Sequence, residues 1–391
     1  MATNRSRNIA FLSTYPPREC GLATFTQDLA RELDNVGLIG KPKVIAVSNK
    51  DYEYGKRVLM ELRQHERKSY RETAEAINNS SIELVVLEHE YGIFGGEAGE
   101  YILDLVENLN VPFIATLHTV LPNPLQKQKE VLKAIGAKSA KVVTMARNTI
   151  PVLEKTYGIN PSKIEMIHHG VPYRILEPRD RLKERHGLTG RTVISTFGLL
   201  SPGKGLEYGI EAIAKVAKEY GNILYLILGQ THPDVKEVSG EAYREKLMRM
   251  VEELDIQENV RFVNKYLTKD EIIQYLQMSD IYMTPYLGKD QAVSGTLAYA
   301  VGCGRAIVST PYSYAKEMLS GQTGLLAEFA DSDSLARNIR YVIENPDEKK
   351  AMEKRALNLG RSMMWGYVAN RYAKLFIDIL EETKCMDNVV G

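Results

Sequence analysis

The stretch TVISTFGLLSPGKGLEYGIEAIAKVAKEYGNILYLIL, residues 192–228, decides the fold class. A short β-rich run ends at Gly198, a Pro-Gly loop follows, and an apolar pattern with helical spacing begins near Leu206. A second β-rich run follows at 223–228. A strand, a helix and another strand in this order predict a parallel sheet with a crossover helix.

The same alternation extends along most of the chain. The predicted strands of the first half are 8–13, 43–48, 83–88, 112–117, 141–145 and 163–168. Those of the second half are 192–197, 223–228, 260–263, 280–284 and 306–309. Helical patterns such as LATFTQDLARELDNVG, residues 22–37, lie between the strands. We therefore expect an α/β protein with two Rossmann-like, doubly wound domains that face a cleft, with ligands at the carboxyl ends of the strands.

The length of 391 residues also indicates two domains, because a domain with a single hydrophobic core usually has fewer residues. Pro, Gly and charged residues concentrate at 172–190, where no strand pattern is present, so we predict domains at 1–180 and 181–364. The amphipathic stretch led by Trp365 predicts a single long helix. In a two-lobed protein such a helix can cross back, so residues 365–391 are assigned to the first domain.

Composition restricts the partners. Fifty basic residues balance fifty acidic ones, so no overall field attracts nucleic acid. The apolar runs have the length of strands, which predicts no integral membrane segment. The N-terminus lacks the apolar region of a secretory signal, and the three cysteines are unclustered. We expect a cytoplasmic protein, and we leave open whether it forms a homo-oligomer.

Two glycine-containing loops are candidate phosphate sites. Gly21, in STYPPRECGLATF, stands where a helix starts, and free amides at such a start attract anions. Lys204, in SPGKG, stands just before the next predicted helix. A cation is unfavourable at the positive N-terminal end of a helix dipole, so a lysine at this position indicates a bound anion. An ordinary strand-to-helix turn and a solvated loop lysine are the structural alternatives.

A third loop offers polar groups for a sugar. Asp290 and Gln291 can bind hydroxyls, and Ser294, Gly295 and Thr296 place hydroxyls and amides at a helix start. The small residues that follow are equally consistent with close helix packing.

The first domain has its own candidates. His118 ends a predicted buried strand, and His89, Glu90 and Tyr91 lie beside the Gly-rich segment GIFGGEAG. Such groups suit acceptor binding, although they could form a hydrogen-bonded loop core instead. No Asp-x-Asp pair follows an apolar run, so we predict no metal site.

The order and spacing of five segments resemble the retaining family 4 glycosyltransferases, which have the GT-B fold. The segments cover nearly the whole chain and are YPPRECG (15–21), HHGVP (168–172), FGLLSPGKG (197–205), PYLGKDQAVSGTLAYAVGCGRAIVST (285–310) and the Trp365-led helix. The resemblance implies metal-independent transfer of a hexosyl group from a nucleotide-sugar donor to an acceptor hydroxyl, with retention of configuration. The implied partners are that donor and a sugar or glycan acceptor, with no cofactor.

The resemblance also implies roles for particular residues, with acceptor binding in the first domain and donor binding in the second. Gly21 would lie beneath the donor phosphates, Lys204 would neutralise the diphosphate, and His118 would face the transferred sugar. Gln291 matches the first Glu of the family's E-x7-E signature. Amides of the stretch Ser294, Gly295 and Thr296 would touch sugar and phosphate.

Four positions depart from the family pattern. Cys20 replaces a Gly, Leu199 replaces an Arg that contacts phosphate, and Gln291 and Tyr299 replace the two Glu residues of the signature. Because the second Glu binds ribose in the family, another side chain would have to take over that contact. The candidates are Lys289, Asp290 and Arg305.

These departures leave two alternatives to a nucleotide-sugar glycosyltransferase. A phosphorylase-like enzyme that uses a sugar 1-phosphate needs no carboxylate for ribose. A non-catalytic relative that only binds a sugar or a partner would tolerate all the replaced signature positions.

Overall fold

A computed structural model describes residues 7–173 and 175–390. The chain divides into two compact units: the first extends to Gly170 and resumes at Met364, and the second comprises Val171–Met363. Residues 1–6, 174 and 391 of the predicted domains lie outside the described residues. The observed boundary lies between residues 170 and 171, ten residues before the predicted boundary between residues 180 and 181. Residues 171–180 therefore belong to the second unit.

Hydrogen bonds explain where the second domain begins. The amide of Val171 donates to the carbonyl of Met363 at 2.8 Å, which joins the two ends of the domain. Lys183, on the helix that follows, donates to Asp280 at 2.5 Å and to the carbonyl of Arg191 at 2.8 Å. The charged segment that looked like a linker therefore contributes a helix to the second domain.

The strands form two parallel sheets. The first domain has seven, in the order β3-β2-β1-β4-β5-β6-β7, and the second has six, in the order β10-β9-β8-β11-β12-β13. The strands are β1 (Ile9–Ser13), β2 (Lys43–Ser48), β3 (Val58–Arg63), β4 (Leu84–His89), β5 (Phe113–Leu117), β6 (Lys141–Thr144), β7 (Ile164–Met166), β8 (Thr192–Phe197), β9 (Ile223–Leu228), β10 (Val260–Val263), β11 (Ile281–Thr284), β12 (Ala306–Ser309) and β13 (Leu325–Leu326).

Fifteen α-helices are present in the described residues. They are α1 (Gly21–Val36), α2 (Arg67–Asn78), α3 (Ile102–Asn108), α4 (Gln126–Lys138), α5 (Ile150–Tyr157), α6 (Arg179–Arg185), α7 (Leu206–Ala217), α8 (Pro233–Ser239), α9 (Ala242–Glu253), α10 (Lys269–Met278), α11 (Gly295–Gly302), α12 (Ser313–Leu319), α13 (Ser332–Glu344), α14 (Pro346–Arg361) and α15 (Trp365–Val390).

Two of the strands, β3 and β13, were not predicted from the sequence. Both lie at the edge of a sheet, so each pairs with a single neighbour. The strand β3 is largely half-buried, and β13 has only two residues. Neither segment therefore carries the continuous apolar run that marks the buried central strands.

Helices α1 and α15 both belong to the first domain. Gly37 ends α1 in the left-handed conformation, with φ of 67°, and its amide donates to the carbonyl of Leu33. Trp365 opens α15 with its ring centroid 5.2 Å from that of Phe25 on α1. Both rings are almost fully buried. The terminal helix is thus part of the hydrophobic core of the first domain.

The topology locates a switch point in each sheet. The chain places β4 beside β1 in the first domain and β11 beside β8 in the second, on the opposite side from the strand that follows next. Open parallel sheets bind ligands outside the carboxyl ends of the strands at such points. The loops that contain Gly21, Glu90, Lys204 and Gln291 all leave these four strands.

Across the described parts of the chain, no helix has both the length and the apolar character that crossing a bilayer requires.

Candidate functional site

The loop after β8 is tightly packed at its base. Gly198 has φ of 131° and Gly229 has φ of 140°, and a Cβ at Gly229 would lie 2.1 Å from the Gly198 carbonyl oxygen. At the end of the loop Gly205 is left-handed, and a Cβ there would lie 2.3 Å from the Pro285 carbonyl oxygen. Glycine is therefore required at these positions, and the loop reaches α7 along one defined path.

Lys204 lies against the next loop of the same domain. Its ammonium nitrogen is 3.9 Å from the centroid of the Tyr286 ring. The two loops are also joined through the backbone, because the amide of Leu287 donates to the carbonyl of Gly203 at 3.0 Å. Lys204 is partly buried and has no ion pair with any carboxylate of the described residues. A held, unpaired cation is suited to bind an anion.

Helix α11 begins beside Tyr286. Ser294 caps the helix through its hydroxyl, which accepts from the amide of Leu297 at 3.3 Å. The Thr296 hydroxyl lies 3.1 Å from that of Ser294 and 2.9 Å from that of Tyr286. First-turn amides such as those of Gly295 and Thr296 have no intrahelical partner and carry the positive end of the helix dipole. Tyr286 therefore links Lys204 to the helix start formed by Ser294, Gly295 and Thr296.

Gln291 and Asp290 lie in the loop before α11. The amide nitrogen of the Gln291 side chain donates to the carbonyl of Val293 at 3.0 Å, so this group braces its own loop. Asp290 is exposed, as is Lys289. Of the proposed replacements for the ribose contact, these two remain accessible.

Arg305 was expected as a candidate for the ribose contact, and the structure contradicts this. The side chain is buried, and its guanidinium donates to three backbone carbonyls, of Gln277, Ser279 and Cys303, at 3.0–3.1 Å. Arg305 therefore satisfies the ends of neighbouring helices inside the domain.

Tyr299 also faces the interior. It is 7% exposed, and its ring centroid lies 6.2 Å from that of Phe197. The position that carries a ribose-binding Glu in the resembling family thus holds an aromatic side chain between α11 and β8.

In the first domain, Gly21 is the first residue of α1. Cys20 caps the helix, and its sulfur accepts from the amide of Ala23 at 3.4 Å. Apart from its chain neighbours and the backbone of its own helix, no protein atom lies within 4 Å of the point where a Gly21 Cβ would stand. The backbone at this helix start is consequently accessible to a ligand.

His118 is held by a buried acid. Its Nε2 lies 2.7 Å from Oε2 of Glu88, and the His118 ring meets Phe25 edge to face, with the centroids 4.9 Å apart. Burial lowers the pKa of His118 to about 4 and raises the pKa of Glu88 well above its usual value. Burial thus disfavours the charged form of both partners, and His118 is neutral at physiological pH.

The proposed acceptor residues engage mainly one another and their own loop. His89 is fully buried, with its ring centroid 4.9 Å from that of Tyr91. Glu90 accepts from the Tyr91 amide at 2.9 Å and from the Thr119 hydroxyl at 2.5 Å. Tyr91 is 8% exposed and donates to the carbonyl of Gln128 at 3.2 Å. Of the three, Glu90 alone is partly exposed.

The sequence interpretation missed two residues that hold site groups, Glu88 and Tyr286. Each has a recognisable signal: Glu88 is an acid inside the apolar run LVVLEH, and Tyr286 stands two residues after the end of a buried strand at the switch point. In the described residues, no group of three or more His, Cys, Asp or Glu side chains is arranged to hold a metal ion.

Comparison with protein families matches residues 178–359 to the family described as Glycosyl transferases group 1. The second domain belongs to this family. The matched segment contains every second-domain residue of the candidate site, and the resemblance seen in the sequence motifs is thereby confirmed.

Among curated relatives, the chain aligns with enzymes that act on a phosphatidylinositol monomannoside or on an inositol phosphate. A GDP-mannose-dependent alpha-(1-6)-phosphatidylinositol monomannoside mannosyltransferase of Mycolicibacterium smegmatis is 26% identical over 60% of this chain and 61% of its own length. A D-inositol 3-phosphate glycosyltransferase of Rhodococcus jostii is 22% identical over 73% of this chain and 64% of its own length. The chain thus spans less than two thirds of either relative.

Solved structures show the fold. Anabaena HepE, in complex with UDP and glucose, matches with a TM-score of 0.76 and 14% identity, over 95% of this chain and 100% of HepE. Sucrose-phosphate synthase of Thermosynechococcus elongatus matches with a TM-score of 0.78 and 15% identity, over 96% and 100% of the chains. The expected GT-B class, with two Rossmann-like domains, is confirmed.

Proposed function

We propose that the protein is a glycosyltransferase that moves a hexosyl group from a nucleoside diphosphate sugar to an acceptor hydroxyl. The observation that carries the proposal is the position of Lys204. This cation has no carboxylate partner in the described residues, and Tyr286 connects it to Thr296 at the start of α11. A lysine and a helix N-terminus at one switch point suit a diphosphate.

The chemistry asked of these groups is stabilisation of the departing diphosphate. As the bond between the sugar carbon and the phosphate oxygen breaks, negative charge grows on that oxygen. Lys204 and the amides of Gly295 and Thr296 would hold this charge without reorganisation, which is the most effective form of electrostatic catalysis. In the first domain, Gly21 offers another accessible helix start, and we propose it as an anion-binding position of that domain.

We further propose retention of configuration and independence of metal. Among the described residues near Lys204, no side-chain nucleophile is paired with a base. This suits direct attack by the acceptor hydroxyl on the same face of the sugar from which the diphosphate departs. The proton of that hydroxyl then passes to the departing phosphate oxygen. His118 is neutral at physiological pH, so we assign it a hydrogen bond to the sugar rather than a charge interaction.

Support for a nucleotide donor comes from the relatives. One uses GDP-mannose, and Anabaena HepE binds UDP together with glucose. Both are nucleoside diphosphate compounds, although the bases differ, so the proposal extends to the diphosphate and hexose and leaves the base unspecified. For the acceptor we propose a sugar or glycan at the first domain, bound in part by Glu90.

The test is turnover with a panel of UDP-, GDP- and ADP-hexoses and simple sugar acceptors, followed by NMR of the product. We expect release of one nucleoside diphosphate, a product with the anomeric configuration of the donor, and activity that survives EDTA. Inversion, or activity abolished by EDTA and restored by Mg²⁺, would contradict the mechanism. Absence of transfer with every donor, while sugar binding persists, would favour a non-catalytic sugar-binding protein.

One observation favours a second candidate, a phosphorylase-like enzyme. The signature position that would carry a ribose-binding carboxylate holds Tyr299, and this side chain faces Phe197 in the interior of the domain. An enzyme that uses sugar 1-phosphates needs no such contact. Transfer from a hexose 1-phosphate with release of inorganic phosphate, together with no binding of any nucleoside diphosphate, would establish this alternative.

A further inference from the structure

Tyr286 contacts two groups of the candidate site at once. One face of its ring lies 3.9 Å from the Lys204 ammonium nitrogen, and its hydroxyl lies 2.9 Å from that of Thr296. Tyr286 thereby joins the loop after β8 to the start of α11. Among the hydrogen bonds, ion pairs and ring contacts of the described residues, no other side chain joins these two groups.

The ring itself cannot easily move. Tyr286 is 1% exposed and stacks on Tyr312, with the centroids 5.5 Å apart and the planes at 21°. Its carbonyl accepts from the Thr310 hydroxyl at 2.5 Å. Lys204, Tyr286 and Tyr312 are thus stacked in this order, and because both rings are buried, only Lys204 is accessible to a ligand.

A lysine on a loop ordinarily samples many rotamers, and ordering it costs free energy when an anion binds. The electron-rich face of a tyrosine attracts an ammonium group and offsets that cost before the ligand arrives. Because the face takes up one side of the ammonium, the remaining N–H groups stay available for phosphate oxygens.

We propose that Tyr286 is a positioning residue for Lys204: its ring face holds the ammonium group where the diphosphate binds, while its hydroxyl orients Thr296 at the start of α11. This inference rests on the proposed function, since it assumes that the anion is a nucleoside diphosphate. The contact between the Lys204 ammonium group and the Tyr286 ring does not depend on which base the donor carries.

The test replaces Tyr286 with phenylalanine, 3,5-difluorophenylalanine and pentafluorophenylalanine by nonsense suppression, and measures UDP, GDP and ADP binding by calorimetry. Fluorine withdraws electron density from the ring face but changes its shape little. We expect affinity to fall along the series by about tenfold between phenylalanine and pentafluorophenylalanine. Tyr286→Phe itself should lose less, because the ring is kept and only the Thr296 contact is removed.

The matched control is the same series in a Lys204→Ala background, where fluorination should leave the weak residual affinity unchanged. Equal affinity across the series in the Lys204 protein, or an equal fall in both backgrounds, would overturn the role of Tyr286. A rise in affinity with fluorination would also overturn it, because the ring would then be competing with the ligand for lysine. If the unsubstituted protein binds none of the three diphosphates, the proposed function fails instead.

Discussion

The Nε2 atom of His118 lies 2.7 Å from Oε2 of Glu88, inside the first domain. The Glu88 side chain is fully buried, and its other oxygen, Oε1, has no hydrogen-bond partner in the described residues. An ionised carboxylate with a bare buried oxygen would be very costly. The pair is therefore best described as a neutral acid bonded to a neutral imidazole.

This charge state predicts losses of stability of different size for two substitutions of Glu88. Glu88→Gln should change the free energy of unfolding by about 1 kcal/mol or less, because an amide closely resembles a protonated acid. Glu88→Ala should cost about 2–4 kcal/mol, because it leaves a cavity and an unpaired imidazole nitrogen. Urea unfolding at pH 7 measures both. A loss of about 3–5 kcal/mol for Glu88→Gln would instead indicate a buried ion pair.

The buried His89 predicts a pH dependence of stability. Burial lowers the pKa of His89 to about 3, whereas the unfolded chain has the usual value of 6.5. Between these values the unfolded chain binds a proton that the folded protein does not, so the free energy of unfolding decreases as the pH falls from about 6.5. His89 alone contributes a slope of about 1.4 kcal/mol per pH unit.

Replacing His89 with phenylalanine isolates this contribution. We expect the slope of stability against pH, measured by urea unfolding between pH 6 and 4, to become shallower by about that amount. The comparison variant is His65→Asn, which removes an exposed imidazole in place of a buried one. Parallel curves for His89→Phe and the unsubstituted protein would show that His89 is already protonated, or solvated, in the folded state.

Much of the fold could be predicted because the central strands are continuous apolar runs between turn residues. The segments β8 and β9 were identified with their bounds, since burial on both faces leaves a strong pattern. Edge strands such as β3 are half-exposed and carry a weaker pattern. Domain assignment near 171–180 depended on contacts such as Lys183 with Asp280, which sequence spacing does not reveal.

The site was predictable as a set of loops, although not as a set of contacts. Lys204 and Thr296 stood out because each lies near a helix start after a strand. That Tyr286 connects them depends on the packing of two loops far apart in sequence. The burial of His89 was missed because a histidine beside a Gly-rich segment looks accessible, while the register of β4 turns its ring toward Tyr91 and Phe94.

Tyr299 provides a test of the alignment with the family signature. Tyr299→Glu would place a carboxylate in an interior position against Phe197, so we expect it to lower the free energy of unfolding by about 3 kcal/mol or more. Tyr299→Phe keeps the ring and should be much milder. Thermal and urea unfolding compare the two variants. A well-folded Tyr299→Glu protein that binds nucleoside diphosphates more tightly would place this position at the ribose instead.

The central claim is that Lys204 binds the diphosphate of a nucleotide sugar, and calorimetry of nucleoside diphosphates with Lys204→Ala tests it most directly. Lys218, exposed at the far end of α7, supplies the matched control, Lys218→Ala. We predict that the unsubstituted and Lys218→Ala proteins bind one of UDP, GDP or ADP alike, and that Lys204→Ala binds it about 10- to 100-fold more weakly while remaining folded. Equal affinity in all three proteins would contradict the account.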